Sequence, residues 1–251
     1  MATFVLVHGA WHGGWCWRDV RAILRARGHE VFTPTLTGLG ERSHLLSRDI
    51  DMDTHVTDVA NVIVWEELDG VVLVGHSYGG NVITGVADRM KVRLAHAVYL
   101  DAFVPEDGDS SASMAVTVAN PDATEADIGA EIKRRLDMTD ESGGSATHYT
   151  NMFDIPKNPP EAYRWVERRI TRHPVRTQIE PIRLRNGGSD GLPRTYILCA
   201  GSEGPAPFRI LAERFRDDPT WRCRELPTGH DAMVTMPRET AELLIEAAEA
   251  G

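Results

Sequence analysis

An α/β fold, with a mainly parallel central sheet flanked by helices, follows from three observations on the sequence. Short unbroken apolar runs recur along the chain, as they do in strands buried on both faces. Stretches with apolar residues at helical spacing separate these runs, which implies right-handed crossovers between parallel strands. The rhythm lapses over a long middle stretch and then returns, so one insertion interrupts the sheet. Residues 1–104 and 193–251 are therefore assigned to a single core, and residues 105–192 to a helical cap insertion covering one end of it.

The elements justify that assignment in order. Phe4 to Val7 is the first strand, and a Gly- and Trp-rich loop from Gly9 to Trp17 follows it. Asp19 to Ala26 places Val20, Ile23 and Leu24 on one helical face, with Gly28 as the stop. Glu30 to Leu36 is the second strand. Thr54 to Leu68 carries Val56, Val59, Ile63 and Val64 at helical spacing. Val71 to Val74 is a buried strand, Gly80 to Met90 a helix and Ala95 to Leu100 another strand. Beyond the insertion come a strand over Thr195 to Cys199 and a helix over Phe208 to Phe215. A strand over Trp221 to Leu226 and a closing helix over Glu239 to Ala248 complete the core. The insertion is punctuated by Ser110-Ser111, Gly143-Gly144-Ser145 and Pro156, Pro159 and Pro160, with short helical pieces between. Its arginines from Arg164 to Arg185 read as solvated helix faces.

Composition excludes several classes of function. At 251 residues the chain can bury a core without disulfide or metal staples. A net charge of −10 argues against nucleic acid and against an anionic membrane surface as partners. No apolar stretch approaches the roughly 20 residues of a membrane span. Cys16, Cys199 and Cys223 form no CxxC pair, and the N-terminus lacks a basic leader and a long apolar core. A reducing, cytoplasmic setting is the expectation.

Gly75-His76-Ser77-Tyr78-Gly79 matches G-x-S-x-G between a buried strand and a helix, the context in which that motif presents a nucleophilic serine. A serine hydroxyl needs an adjacent base. Of the histidines, His230 alone sits on a loop after a late strand; His29, His44, His55, His96, His148 and His173 read as surface or cap residues. Two backbone N–H groups must face the developing oxyanion. Tyr78, after the nucleophile, supplies one, and Ala10, in the loop after the first strand, supplies the other. No H-E-x-x-H, paired CxxC or EF-hand pattern suggests a metal, and no G-x-G-x-x-G opening a helix suggests a dinucleotide, so no cofactor is expected.

FVLVHGAWHGGWCW (Phe4 to Trp17), the Gly75 to Gly80 elbow and Gly229-His230-Asp231 together resemble the α/β-hydrolase fold. More narrowly, they resemble its esterase and hydroxynitrile-lyase branch, which includes the plant methyl-salicylate esterases and bacterial relatives. The resemblance implies a Ser–His–acid triad, a helical cap, no metal or organic cofactor, and a homodimer. Two departures stand out. The lyases of this branch carry threonine and lysine where this chain has Gly9 and Asp231, which favours ester hydrolysis over cyanide elimination. The triad acid usually follows the strand equivalent to Thr195 to Cys199, where the expected spacing falls on Ser202 and Glu203 comes one residue late. Asp101, at the tip of the strand Ala95 to Leu100, is the rival, and both Asp101 and Glu203 stay open. The expected activity is a serine carboxylesterase taking a small or medium, apolar or aromatic ester through an acyl-enzyme. A non-catalytic small-molecule receptor and a lyase or C–C hydrolase are the alternatives. Trp11, Phe103, Trp165 and Met233 are expected to bind substrate, with Met114 and the Tyr78 side chain near them.

Overall fold

The computed structural model describes residues 1–146, 153–201 and 207–250. Its core is a six-stranded, wholly parallel sheet in the order β2-β1-β3-β4-β7-β8. These strands are β1 (Thr3–Val7), β2 (Glu30–Phe32), β3 (Val71–His76), β4 (Leu94–Leu100), β7 (Arg194–Cys199) and β8 (Trp221–Leu226). The core helices are α1 (Arg18–Ala26), α2 (Met52–Trp65), α3 (Gly79–Met90), α8 (Pro207–Arg216), α9 (Ala232–Thr235) and α10 (Pro237–Glu249). Residues 105–192 hold the short helices α4 (Ser111–Thr117), α5 (Glu125–Asp137), α6 (Glu161–Glu167) and α7 (Arg176–Ile179). They also hold a two-stranded antiparallel ribbon of β5 (Gly144–Ser145) and β6 (His173–Pro174).

Alternate residues of each strand serve opposite faces, so the unbroken apolar runs build two cores. Val5, Val7, Leu73 and Tyr99 pack with α2, α3 and α8. Phe4, Leu6, Val74 and Leu100 pack with α1, α9 and α10. The expected second strand ends early, at Phe32 rather than Leu36. Pro34 supplies no N–H for a ladder. Beyond it the Leu36 N–H donates to His8 Nε2 at 3.1 Å instead of to a strand. The sheet order places β1 between β2 and β3, so the chain reverses its winding direction there. Such a switch point opens a crevice at the carboxyl ends of the strands. No helix among the described residues is long and apolar enough to cross a membrane.

Candidate active site

Each chemically loaded residue sits just past the carboxyl end of a strand. Ser77 follows β3 with a φ of 54°, the left-handed region that a non-glycine residue enters only under constraint. Two glycines permit the turn. A Cβ on Gly75 would lie 2.6 Å from Gly79 O, and one on Gly79 would lie 2.8 Å from Val7 O. The exit of β4 pins the elbow from the side: Ser77 N–H donates to Leu100 O and Phe103 N–H donates to Ser77 O, both at 3.2 Å.

Asp101 ends β4 with a φ of 44° and is 1% exposed. Its Oδ1 accepts from the Cys199 N–H at 3.0 Å, and its Oδ2 accepts from His230 Nδ1 at 2.6 Å. His230 lies on the loop between β8 and α9, and its backbone oxygen accepts from His76 Nε2 at 2.9 Å. The Phe208 ring stacks on it at 5.1 Å, tilted by only 6°. Its Nε2 has no hydrogen-bond partner among the described residues. Burial depresses the His230 pKa, but the Asp101 hydrogen bond and the Asp101 and Asp231 charges outweigh it, so the net direction is upward. Glu203, the rival acid, and His148 lie outside the described residues.

Ala10 and Tyr78 are both buried, and neither backbone N–H donates to an acceptor among the described residues. The Ala10 loop is tethered on both sides. Trp11 N–H donates to His173 Nδ1 at 3.3 Å, and the indole N–H donates to Ser145 O at 3.2 Å. His12 bridges Ala10 O, 2.8 Å from its Nδ1, and Asp231 Oδ2, 3.0 Å from its Nε2, a pair 219 positions apart in the chain. Asp231 is therefore a buried partner of His12 and not a rival for the His230 ring.

A cavity of about 240 Å³ joins these groups, lined by Ser77, Asp101 and His230 with Ala10, Trp11, Tyr78 and Phe103. Residues 105–192 add Ser111, Ala115, Arg135, Phe153 and Gln178 to the wall, and α8 adds Pro207 and Phe208. Two expected substrate contacts sit elsewhere. Trp165 packs edge-on against Trp15 at 5.0 Å, flanked by the Arg18 and Arg169 guanidinium groups. Met233 is fully buried in the α1/α9/α10 core on the other face of the sheet. Met114 lines a larger, more open groove of about 760 Å³ that contains none of the Ser, His and Asp groups above.

His55, His96 and His173, expected near the surface or in caps, are 0% exposed. His55 Nε2 donates to Thr37 O at 2.9 Å, while its Nδ1 accepts from the Tyr78 hydroxyl at 2.8 Å. His173 Nε2 donates to Thr177 Oγ1 at 2.7 Å, and its Nδ1 accepts from Trp11. Among the described residues no group of three or more His, Cys, Asp or Glu side chains could hold a metal ion.

The profile of the Alpha/beta hydrolase family matches residues 4–243. A carbendazim-hydrolysing esterase from Nocardioides sp. (strain SG-4G) is 46% identical over 244 residues, covering 97% of this chain and 98% of its own. Methylesterase 9 of Arabidopsis thaliana is 28% identical over 273 residues, with 99% of each chain covered. An extracellular α/β-hydrolase of a Paenibacillus species superposes with a TM-score of 0.78 at 24% identity, over 98% of this chain and 99% of that one.

Proposed function

The chain belongs to the α/β-hydrolase family, and from that premise we propose that it is a serine carboxylesterase whose triad is Ser77, His230 and Asp101. The observation that carries this reading is the 2.6 Å contact between His230 Nδ1 and Asp101 Oδ2, beside a serine on a strained elbow in the same cavity. Asp101 holds the Nδ1–H tautomer, which leaves Nε2 free to accept the Ser77 proton. Ser77 Oγ attacks the ester carbonyl, and the Ala10 and Tyr78 N–H groups take the developing oxyanion. His230 then passes its proton to the departing alkoxide, forming the acyl-enzyme. Water, deprotonated by His230, releases the acid and restores Ser77. No hydrogen bond joins Ser77 Oγ to His230, and catalytic hydrogen bonds of this kind often tighten only with substrate.

A small ester with an aromatic or apolar part suits a cavity below the roughly 300–1,000 Å³ of drug-sized sites, walled by Trp11, Phe103, Phe153 and Phe208. Residues 105–192 act as the cap that supplies one wall of this cavity. Gly9 supports hydrolysis over elimination: a Cβ there would lie 3.0 Å from Ser77 Cβ and 2.9 Å from His76 Nδ1, so the threonine of the lyases has no room. Three free cysteines accord with a reducing, cytoplasmic setting.

The test is turnover of short-chain nitrophenyl and methyl aryl esters by the purified protein and its Ser77→Ala variant. Ser77→Ala is expected to lower kcat by about 10³ or more with an unchanged melting curve, and a fluorophosphonate is expected to label Ser77 alone. A label recovered on any other residue refutes the nucleophile. A native protein that binds such esters without turning them over is a receptor.

A further inference from the structure

The residues that offer Ala10 and Tyr78 N–H groups to the oxyanion are held by one residue of the 105–192 segment, His173 on β6. Trp11, which follows Ala10, has a φ of 63°, and a non-glycine residue keeps such a backbone only where its surroundings over-determine it. Each polar group of Trp11 is fastened to that segment. Its backbone N–H donates to His173 Nδ1 at 3.3 Å, its indole N–H donates to Ser145 O at 3.2 Å, and its carbonyl accepts from the Thr171 N–H at 2.9 Å. The peptide unit between Ala10 and Trp11 is thus gripped at both ends, its oxygen by His12 Nδ1 at 2.8 Å and its N–H by His173. The preceding unit carries the Ala10 N–H, and His8 Nδ1 donates to its oxygen, Gly9 O, at 2.8 Å. On the other side, the Tyr78 ring stands edge-on to the His173 ring at 4.7 Å.

His173 accepts from Trp11 in only one tautomer, and the surrounding bonds select it. The Thr177 hydroxyl donates to Pro174 O at 2.8 Å, so its oxygen is left to accept from His173 Nε2 at 2.7 Å. That puts the hydrogen on Nε2 and leaves Nδ1 bare. The ring is fully buried, and burial holds its pKa well below the ordinary histidine value, so it stays neutral. Thr177 therefore fixes the acceptor, and the acceptor fixes the strained Trp11. Donors aimed at a developing charge act through their exact placement, and a misplacement of about 1 Å can cost about 10²-fold in rate.

Resting on the esterase reading of the site, we propose that His173 is a positioning residue for the oxyanion hole, complete only while the β5–β6 ribbon is docked on the Trp11 loop. His173 does not line the cavity that holds Ser77 and takes no part in bond making. It acts on the reaction through Trp11 and Tyr78.

The experiment measures kcat and KM for a methyl aryl ester, and inhibition by the matching aryl trifluoromethyl ketone, whose adduct with Ser77 puts an oxyanion in the hole. His173→Phe keeps a buried ring against Tyr78 but offers Trp11 no acceptor. It is expected to lower kcat at least about tenfold, short of the 10²–10³ that loss of a whole oxyanion donor costs, with KM held within about twofold. The inhibition constant of the ketone is expected to rise by a similar factor, since the tetrahedral state alone uses the hole. His173→Asn, whose Oδ1 takes the place of Nδ1, is expected to recover most of both losses. Thr177→Val, of nearly the same shape, frees the tautomer; it is expected to move kcat and ketone inhibition in the same direction, and it decides the matter if His173→Phe does not fold. Unchanged kcat and ketone inhibition in the deciding variant overturn the proposal. So does a rise in KM alone, or a loss in His173→Asn equal to that in His173→Phe, either of which marks a residue that merely supports the fold. A native protein that turns over no ester and forms no adduct with the ketone refutes the esterase reading, and the proposal falls with it.

Discussion

Acidification to pH 5 should remove a large part of the folding stability of this protein, because its buried histidines are held neutral in the folded state. His8 Nδ1 donates to Gly9 O while its Nε2 accepts from the Leu36 N–H; His55 and His173 likewise each use one ring nitrogen as an acceptor. A second proton on any of these rings destroys the accepting bond. Burial pushes the His8 pKa down to about 3 and that of His55 to about 4, and it holds His76 and His173 well below the ordinary value. The unfolded chain, with histidines near 6.5, therefore takes up protons that the folded chain refuses. Each such group costs about 1.4 kcal/mol of stability per pH unit below about 6.5. At pH 5 the loss is about 2 kcal/mol for each of His8 and His55, about 4 kcal/mol together, with His76 and His173 adding in the same direction, against a typical total of about 5–15 kcal/mol. His230 has the opposite sign. Its folded pKa is raised, so its contribution is fully present below about 6.5, is lost as pH rises through the folded value, and offsets part of the acid loss. Urea unfolding followed by far-UV circular dichroism from pH 7.5 to 5.0 measures the sum. His55→Gln, which keeps an acceptor for the Tyr78 hydroxyl, should recover about 2 kcal/mol of the difference between those two pH values. A stability at pH 5.0 within about 2 kcal/mol of that at pH 7.5 would refute the account.

Two further outcomes concern the site. Asp101→Asn should lower kcat by about 10⁴, as loss of the orienting carboxylate does in such triads. The acid limb of kcat/KM should begin above the ordinary histidine value in the native protein and move to lower pH in Asp101→Asn, since the charge that raises His230 is gone. A pH profile that does not move, with activity retained, would assign the role to Glu203. Gly9→Thr should lower ester turnover by at least about tenfold without any cyanohydrin cleavage, because the new Cβ crowds His76 and Ser77; product analysis by chromatography decides it.

The parallel sheet is legible in the sequence because strands covered on both faces must be apolar throughout, and Phe4 to Val7 and Val71 to Val74 have no polar position to blur them. The elbow is legible for a related reason: its steric demands are local, and Gly75 and Gly79 meet them within five residues. The buried histidines are not legible. His173 is positioned by Trp11, 162 residues away, and no local pattern separates it from the exposed His44. Arg135 is hidden in the same way, since the Glu131–Arg135 spacing is that of any solvated helix pair. Proximity in the chain places Trp165 and Met233 at the pocket, whereas the faces of α6 and α9 turn them into neighbouring cores.

On the proposed triad, the pairing of His12 with Asp231, and of Asp101 with a histidine 129 positions later, sets the order in which activity arises during synthesis. A ribosome delivers the chain from its N-terminus. Strands β1 to β4 can pair, and the elbow can strain Ser77 into place, while the last strand is still inside the exit tunnel. At that stage the serine lacks its base, Asp101 has no histidine to orient, and the Ala10 loop lacks the carboxylate that tethers it through His12. The nascent hydrolase is thus inert until its final quarter folds back across the sheet, a slow, long-range closure. Catalytic competence then reports completion of the whole domain and of no part of it.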